Sequence, residues 1–309
     1  MLRALLIAVL PLLAAAQPTS QVLKNTGEPI RVPFDCAEDE LQAAGLLCTE
    51  AEPCAIYLEL NSLAPAGKKL FLGGDLHATS GTLSSILLAS DDGGATWKEP
   101  APRIRGTALE QVQLYDLEHG WAAGETQFPL PADPFFLITT DGGQTWRQRP
   151  VSEEGGPGSI QQFWFDSARH AELIIDAGRS APGGRYATWE SETGGESWMA
   201  RASTNKLPVI KRAPLAPDTD FRIHANADGK SYQIEKRAGA NWETMASFLI
   251  EAASCKLKPT EIKEPPPITE QQPAEPKDYV EELKLGAPAK TTATPAVPAT
   301  TPPKKGPPL

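Results

Sequence analysis

Ser90-Asp91-Asp92-Gly93-Gly94-Ala95-Thr96-Trp97 is repeated as Thr139-Thr140-Asp141-Gly142-Gly143-Gln144-Thr145-Trp146 and, altered, as Ser191-Glu192-Thr193-Gly194-Gly195-Glu196-Ser197-Trp198. A fourth copy, ending at Trp242, keeps only Gly239 and that Trp in register. The phrase reads as a hairpin turn. Gly tolerates positive φ, and a turn carboxylate accepts hydrogen bonds from nearby amides. Apolar runs precede the first two copies, Ile86-Leu87-Leu88-Ala89 and Phe135-Phe136-Leu137-Ile138. Each closing Trp is expected to pack between neighbouring hairpins, burying its ring while the indole N–H finds a partner. Ser90, Asp92, Gly94, Thr96 and Trp97 are therefore assigned a structural role. So are Thr139, Asp141, Gly143, Thr145 and Trp146, then Ser191, Gly195, Ser197 and Trp198, and finally Gly239 and Trp242. Asp92 and Asp141 are turn staples in this reading, not catalytic acids or metal ligands.

Working outward, Trp97, Trp146, Trp198 and Trp242 stand 49, 52 and 44 residues apart. Periods of about 40 to 50 residues, each holding several short apolar runs, mark propeller blades. The phrase resembles the Asp-box, or bacterial neuraminidase repeat, of β-propellers. His119-Gly120-Trp121-Ala122-Ala123-Gly124 resembles the His-Gly-Trp-Ala-x-Gly phrase of propellers related to the photosystem II assembly factors. The resemblance implies an all-β chain, a small propeller of about four four-stranded blades. Strands are expected at 55–60, 69–74, 84–90 and through Trp97; at 111–116, 120–124, 135–140 and 145–149; at 160–165, 171–175 and 186–191, closing at Trp198; and at 207–210, 221–225, 232–235 and 242–249.

The domain boundaries follow from shifts of composition. Residues 1–16 read as a signal peptide: Arg3, an apolar stretch from Ala4 to Leu13, then Ala14-Ala15-Ala16 as a small-residue cleavage site. Residues 17–54 form a lead with a possible strand at 30–34 and a short helix within 36–48, where acidic residues open a run of good helix formers. Residues 55–255 are the propeller. Residues 256–309 are expected to be a disordered tail, because Pro265-Pro266-Pro267 and the Pro/Ala/Thr/Lys stretch that follows cannot bury a core. An island at 277–285 has the composition of a short helix, though a solvated tether is the favoured reading.

Formal net charge is −10, and the tail carries eight Lys against seven Asp or Glu, so the acidity belongs to the body. Such a body repels phosphate backbones, which excludes nucleic acid as a partner. No stretch is long and apolar enough for a transmembrane helix, and the expected location is exported, periplasmic or secreted. Cys36, Cys48, Cys54 and Cys255 agree with that: an even count in an oxidising compartment suggests two disulfides with three possible pairings. Three of them precede the first blade and one follows the last. The preferred pairing is Cys36 with Cys48 and Cys54 with Cys255, fastening the ends of the body. No Cys-x-x-Cys occurs and no His adjoins the cluster, so zinc is not expected.

Sialidases share the repeat, so an enzyme must be considered. Their chemistry needs an arginine triad, a tyrosine nucleophile and an acid/base carboxylate. Phe221-Arg222-Ile223-His224 resembles their Phe-Arg-Ile-Pro phrase, but lacks the Pro and follows three boxes. His77, His119, His170 and His224 fall in two registers rather than one, which argues against a symmetric metal ring. There is neither a Gly-x-Ser-x-Gly elbow nor a Walker loop. No catalytic residue, metal or cofactor is assigned. The sequence reading is a non-enzymatic module for a protein or peptide ligand, bound through the longer connections 63–68, 127–134, 152–159 and 213–220, with glycan hydrolysis as the alternative.

Overall fold

Alternating apolar and polar residues, broken by Gly and Pro turns, give this chain strands almost throughout. The computed structural model describes residues 21–127, 130–156, 158–211, 220–227 and 229–256. The expected signal peptide, the tail beyond Lys256 with its island at 277–285, and the connection at 213–219 lie outside the described residues.

The lead contains β1 (Leu23–Lys24), β2 (Ile30–Val32) and α1 (Glu38–Ala43). The first sheet follows with β3 (Cys54–Ala66), β4 (Lys69–Ala78) and β5 (Gly81–Ser90); the short β6 (Thr96–Trp97) pairs antiparallel with β1 and is linked to β5 only by the isolated bridge between Ala89 and Lys98. The second sheet is β7 (Thr107–Leu114), β8 (Gly120–Thr126), β9 (Ala132–Thr139) and β10 (Arg147–Pro150). The third is β11 (Ser159–Phe165), β12 (Ala171–Asp176), β13 (Tyr186–Ser191) and β14 (Met199–Thr204). The fourth begins with β15 (Phe221–Ala225), β16 (Ser231–Ala238) and β17 (Asn241–Ile250), and β18 (Ser254–Cys255) returns to the first sheet as the edge strand beside β3. The protein is all-β apart from α1, and its four-stranded antiparallel meanders have the form of propeller blades.

Two departures from the expected strands concern the fourth sheet. Residues 207–210 are not a strand: Pro208 withholds an N–H from any ladder, although Ile210 is buried. The outer position is filled instead by β2, which runs parallel to β17 through Phe248↔Ile30, Leu249↔Arg31 and Ile250↔Val32. The hairpin holding Gly239 and Trp242 therefore joins the second and third strands of its sheet. The three other phrases join third to fourth. Gly239 and Trp242 are not an equivalent fourth copy, and the Trp242 ring lies under Arg222 instead, 4.3 Å from its guanidinium carbon. The connection at 63–68 is also mostly strand, since β3 extends to Ala66.

Three apolar layers join neighbouring sheets. Leu58, Leu72, Trp97, Ile234 and Phe248 lie between first and fourth; Phe71, Leu109, Val112 and Leu137 between first and second; Trp121, Phe136, Phe163 and Phe165 between second and third. Trp121 stacks flat on Phe165 with centroids 3.6 Å apart. Burying rings of this size supplies about 2 to 3 kcal/mol each.

The repeated turns share one hydrogen-bond scheme. Ser90 Oγ accepts from Gly94 N at 2.8 Å and donates to Asp92 Oδ1 at 2.8 Å; Asp92 then accepts from Thr96 N at 2.9 Å and Thr96 Oγ1 at 2.6 Å. Thr139, Asp141, Gly143 and Thr145 repeat this. Trp97 and Trp146 close it by donating Nε1–H to Gly94 O and Gly143 O. Gly143 has φ +82°, and a Cβ there would lie 2.3 Å from the Phe71 ring, so only glycine lets this turn press on the first sheet. In the third copy Thr193 replaces the Asp, accepting from Ser197 N at 2.9 Å, and Trp198 Nε1 finds no partner among the described residues.

Both disulfides form, with a different pairing from the preferred one. Cys36 bonds Cys255 and Cys48 bonds Cys54. Cys54 and Cys255 face each other across β3 and β18. Directly opposed residues of an antiparallel pair hold their Cβ atoms about 4.5 to 5.5 Å apart, wider than the roughly 3.8 Å a disulfide prefers, so each takes another partner. Fastening of the two ends remains, through Cys36. These disulfides fit an oxidising, exported environment. No helix among the described residues is long and apolar enough to cross a membrane.

Candidate functional site: an acidic cleft on the inner strands

The inner strands β3, β7 and β11 share an irregularity. In β3 the pairing jumps from Leu60↔Gly74 to Ser62↔Gly73, in β7 from Leu109↔Gly124 to Gln111↔Ala123, and in β11 from Ile160↔Ile175 to Gln162↔Ile174. The extra residues are Asn61, Glu110 and Gln161. Each is a β-bulge, which bends the strand and re-aims a side chain. Glycine makes room for two of them. A Cβ on Gly74 would sit 1.9 Å from Glu59 O, and one on Gly124 would sit 2.6 Å from Ala108 O. The bulges also tie the sheets together. Val112 N donates to Ser62 Oγ at 2.8 Å, while Gln113 exchanges hydrogen bonds with Phe165 N and O at 3.0 and 2.7 Å.

Around the first two bulges lies an open cleft of about 370 Å³, lined by Glu59, Asn61, Asp75, His77, Glu110 and Gln127 among others. No Arg or Lys lines it among the described residues. Asp75 is buried, and its Oδ2 lies 3.1 Å from His77 Nδ1; Glu59 Oε2 lies 3.8 Å from the same nitrogen. The Asp75 hydrogen bond, reinforced by the charges of Asp75 and Glu59, raises the His77 pKa against the opposing effect of burial. Tyr57 stacks on that ring with centroids 5.6 Å apart. Poor solvation raises the Glu110 carboxyl above the usual Glu value, and repulsion from Glu125, Asp75 and Glu59 adds to it. Glu110 stands exposed at the rim, where solvent screening moderates that repulsion. Burial likewise raises Glu125, which is 2 % exposed, although Ile160 N at 2.7 Å and Ser159 Oγ at 2.8 Å donate to it. Burial first, then Glu59 and Asp75, push up the Tyr232 phenol on the fourth sheet. Carboxylates of the first two sheets thus face one another across the cleft and reach Tyr232 on the fourth.

Chemically, Glu59, Asp75 and Glu110 can accept hydrogen bonds from a cation at the cleft. Glu125 cannot, since its carboxylate is closed over by β11. Arg222 lies in another depression with Asn61, Leu63 and Pro65, its Nε donating to Glu235 at 2.5 Å. His119 and His170 occupy equivalent places, just before β8 and β12, each beside an aspartate: Asp116 at 2.9 Å and Asp166 at 2.8 Å. His224 is on β15 and His77 within β4. A second cluster, His170, Glu190 and Glu192, lies on the third sheet, with Glu190 also bound by Arg201. The disulfide and turn residues singled out from the sequence do not line the cleft. Sequence reading missed Glu59, Asp75 and Glu110, although a signal exists: Asn61 and Glu110 each precede the Trp of their repeat by 36 residues.

No protein-family profile matches the chain, and no curated protein does. Among solved structures it is similar to YCF48 bound to D1 peptide, at 20% identity over 64% of this chain and 58% of that one, with a TM-score of 0.35. It is also similar to YCF48 from Cyanidioschyzon merolae, at 18% identity over 62% and 59%, TM-score 0.32, and to the α-L-arabinofuranosidase Arb93A from Fusarium graminearum, at 14% over 64% and 62%, TM-score 0.31. The chain spans about three-fifths of the length of each of these structures.

Proposed function

We propose that this chain is an exported β-propeller, comprising residues 55–255, that acts as a non-enzymatic binding module and holds a protein or peptide ligand by a basic side chain in the acidic cleft. The observation that carries the reading is the lining itself: Glu59, Asp75 and Glu110 converge there around His77, with no Lys or Arg among the described lining residues. A Lys or Arg side chain entering it would relieve the repulsion that raises Glu110, and would form charge-assisted hydrogen bonds. The turn phrases serve as structural staples in this proposal, and the longer connections supply further contacts.

Glycan hydrolysis is the second reading. It is favoured by two glutamates with raised pKa, the property of a general acid. Against it stand the enclosure of Glu125 and the position of Arg222 outside the cleft lining. A peptide array varied in Lys and Arg content, run beside a glycan array on the whole protein, tests both. Retention of basic peptides that weakens with salt and with Glu110→Gln supports the proposal. Equal retention of neutral peptides, or release of sugar from a glycan, overturns it.

A further inference from the structure

One acid recurs at the same place in the first three sheets. Asp75, Glu125 and Asp176 each directly follow the residue paired at the bulge, Gly74, Gly124 and Ile175 respectively. Two of the three are satisfied by their surroundings. Glu125 accepts from Ser159 Oγ and Ile160 N of the next sheet, and Asp176 accepts from Gly178 N at 3.0 Å and Arg185 Nε at 2.8 Å. Asp75 has no such donors. The place that Ser159 takes on β11, opposite Asp176, is taken on β7 by Ala108, opposite Glu125; Ala108 lines the cleft and has no hydroxyl to offer. Among the described residues the Asp75 side chain, only 8% exposed, has His77 as its single hydrogen-bond partner. A carboxylate offers about four lone-pair sites, and burying them unfilled is costly.

The first sheet alone adds further ligand atoms around this acid. Two residues past each recurring acid stand His77, Gln127 and Gly178, and opposite each stand Glu59, Ala108 and Ser159. The sheet can therefore be built without His77 or Glu59. His77 Nδ1 lies 3.1 Å from Asp75 Oδ2 and 3.8 Å from Glu59 Oε2, and one ligand atom from each of the three lies within 4.8 Å of the others. Tetrahedral coordination with bonds of about 2.0 to 2.1 Å places neighbouring donor atoms about 3.3 Å apart, so a metal ion fits among these atoms with shifts of under about 1 Å.

We infer that Glu59, Asp75 and His77 form a binding site for a divalent cation of the zinc type, which the cleft takes as an alternative to a basic side chain. Two carboxylates and an imidazole are ligands that zinc accepts, and the open side of the cleft leaves a fourth position for solvent. Such an ion fills the empty lone pairs of Asp75. It also neutralises the two carboxylates, and so competes with a basic ligand. That competition rests on the basic-ligand reading, whereas binding of the metal itself does not. The cluster of His170, Glu190 and Glu192 is less suited, because Arg201 already holds a Glu190 oxygen.

Calorimetric titration of the whole protein with Zn²⁺ in mildly alkaline buffer tests the site, with Co²⁺ added in parallel for its visible absorption. One equivalent is expected to bind, with the intense Co²⁺ bands of tetrahedral coordination. His77→Gln and Glu59→Gln should each weaken binding about tenfold or more, since each removes one of three ligands, while His170→Gln leaves it unchanged. Melting temperatures of the variants show whether the body is intact. Absence of zinc binding, binding that survives His77→Gln in a folded variant, or a loss confined to His170→Gln overturns the inference. Retention of a basic peptide that saturating Zn²⁺ does not reduce overturns the competition. If no basic peptide is retained at all, the basic-ligand reading fails, and the zinc titration still decides the metal site.

Discussion

At the scale of single residues, the repeated turn is a small electrostatic device. The side-chain and backbone hydrogen bonds from Thr96, with Ser90, hold the Asp92 carboxyl down to about 2. Partial burial works against ionisation of Asp141, but Thr145 and Thr139 outweigh it, and this carboxyl too is held at about 2. A folded-state pKa below the unfolded value means that these groups add stability above the ordinary Asp value, and that this is lost as pH falls from about 4 towards 2. Thermal melts over that range should therefore fall more steeply for the native chain than for a D92N/D141N variant. Removing one staple, Asp141→Ala, should cost about 1 kcal/mol in a denaturant titration, as loss of a helix cap does. Thr193 offers the converse experiment. Thr193→Asp supplies the second acceptor oxygen that the third turn lacks, and is expected to raise the melting temperature of the whole body.

Among elements, long-range closure matters more than strand propensity. The Cys36–Cys255 bond spans a sequence separation of 219, and Cys48–Cys54 one of 6. On the loop-closure account these correspond to about 5 and about 2 kcal/mol respectively. Denaturant unfolding of C36S/C255S should consequently show a much larger loss than C48S/C54S. Reversal of that order would mean that the parallel strand β2, with Val32 fully buried, closes the body without help. Asn25 reinforces the same closure by donating to Gly94 O at 2.9 Å and Met245 O at 2.6 Å. The bulge in β3 has its own requirement. Gly74→Ala places a methyl inside the contact radius of Glu59 O, and should cost about 1 to 3 kcal/mol in unfolding experiments while distorting the cleft.

Over the whole molecule, the negative charge is focused where the inner strands of neighbouring sheets meet. Glu110 and Glu125 have raised pKa values, so the folded form prefers them protonated. The sign is opposite to that of Asp92: their contribution favours folding below the ordinary Glu value and is lost as pH rises above it through their raised folded-state values. Glu110→Gln should therefore raise the melting temperature at pH 7 more than at pH 4, while weakening retention of a basic peptide. Gain in stability with loss of binding is the pattern expected of a residue kept for function. A variant that changed neither would remove Glu110 from the site.

Much of the strand order and all three well-formed turns were legible in the sequence, because they are local. Their hydrogen bonds join residues two to four apart, and the period of the box Trp residues reports one sheet after another. The fourth sheet was misread for the same reason in reverse. Its outer strand comes from Ile30–Val32, some two hundred residues away from β17, and no local pattern announces such a partner. Disulfide pairing and the carboxylate cleft were also hidden. Cys54 and Cys255 are neighbours without being bonded, and Glu59, Asp75 and Glu110 sit in three strands of two sheets. Turn chemistry depends on spacing along the chain and is written in the order of residues. The cleft and its electrostatics depend on which strands pack side by side, and only the tertiary structure decided that.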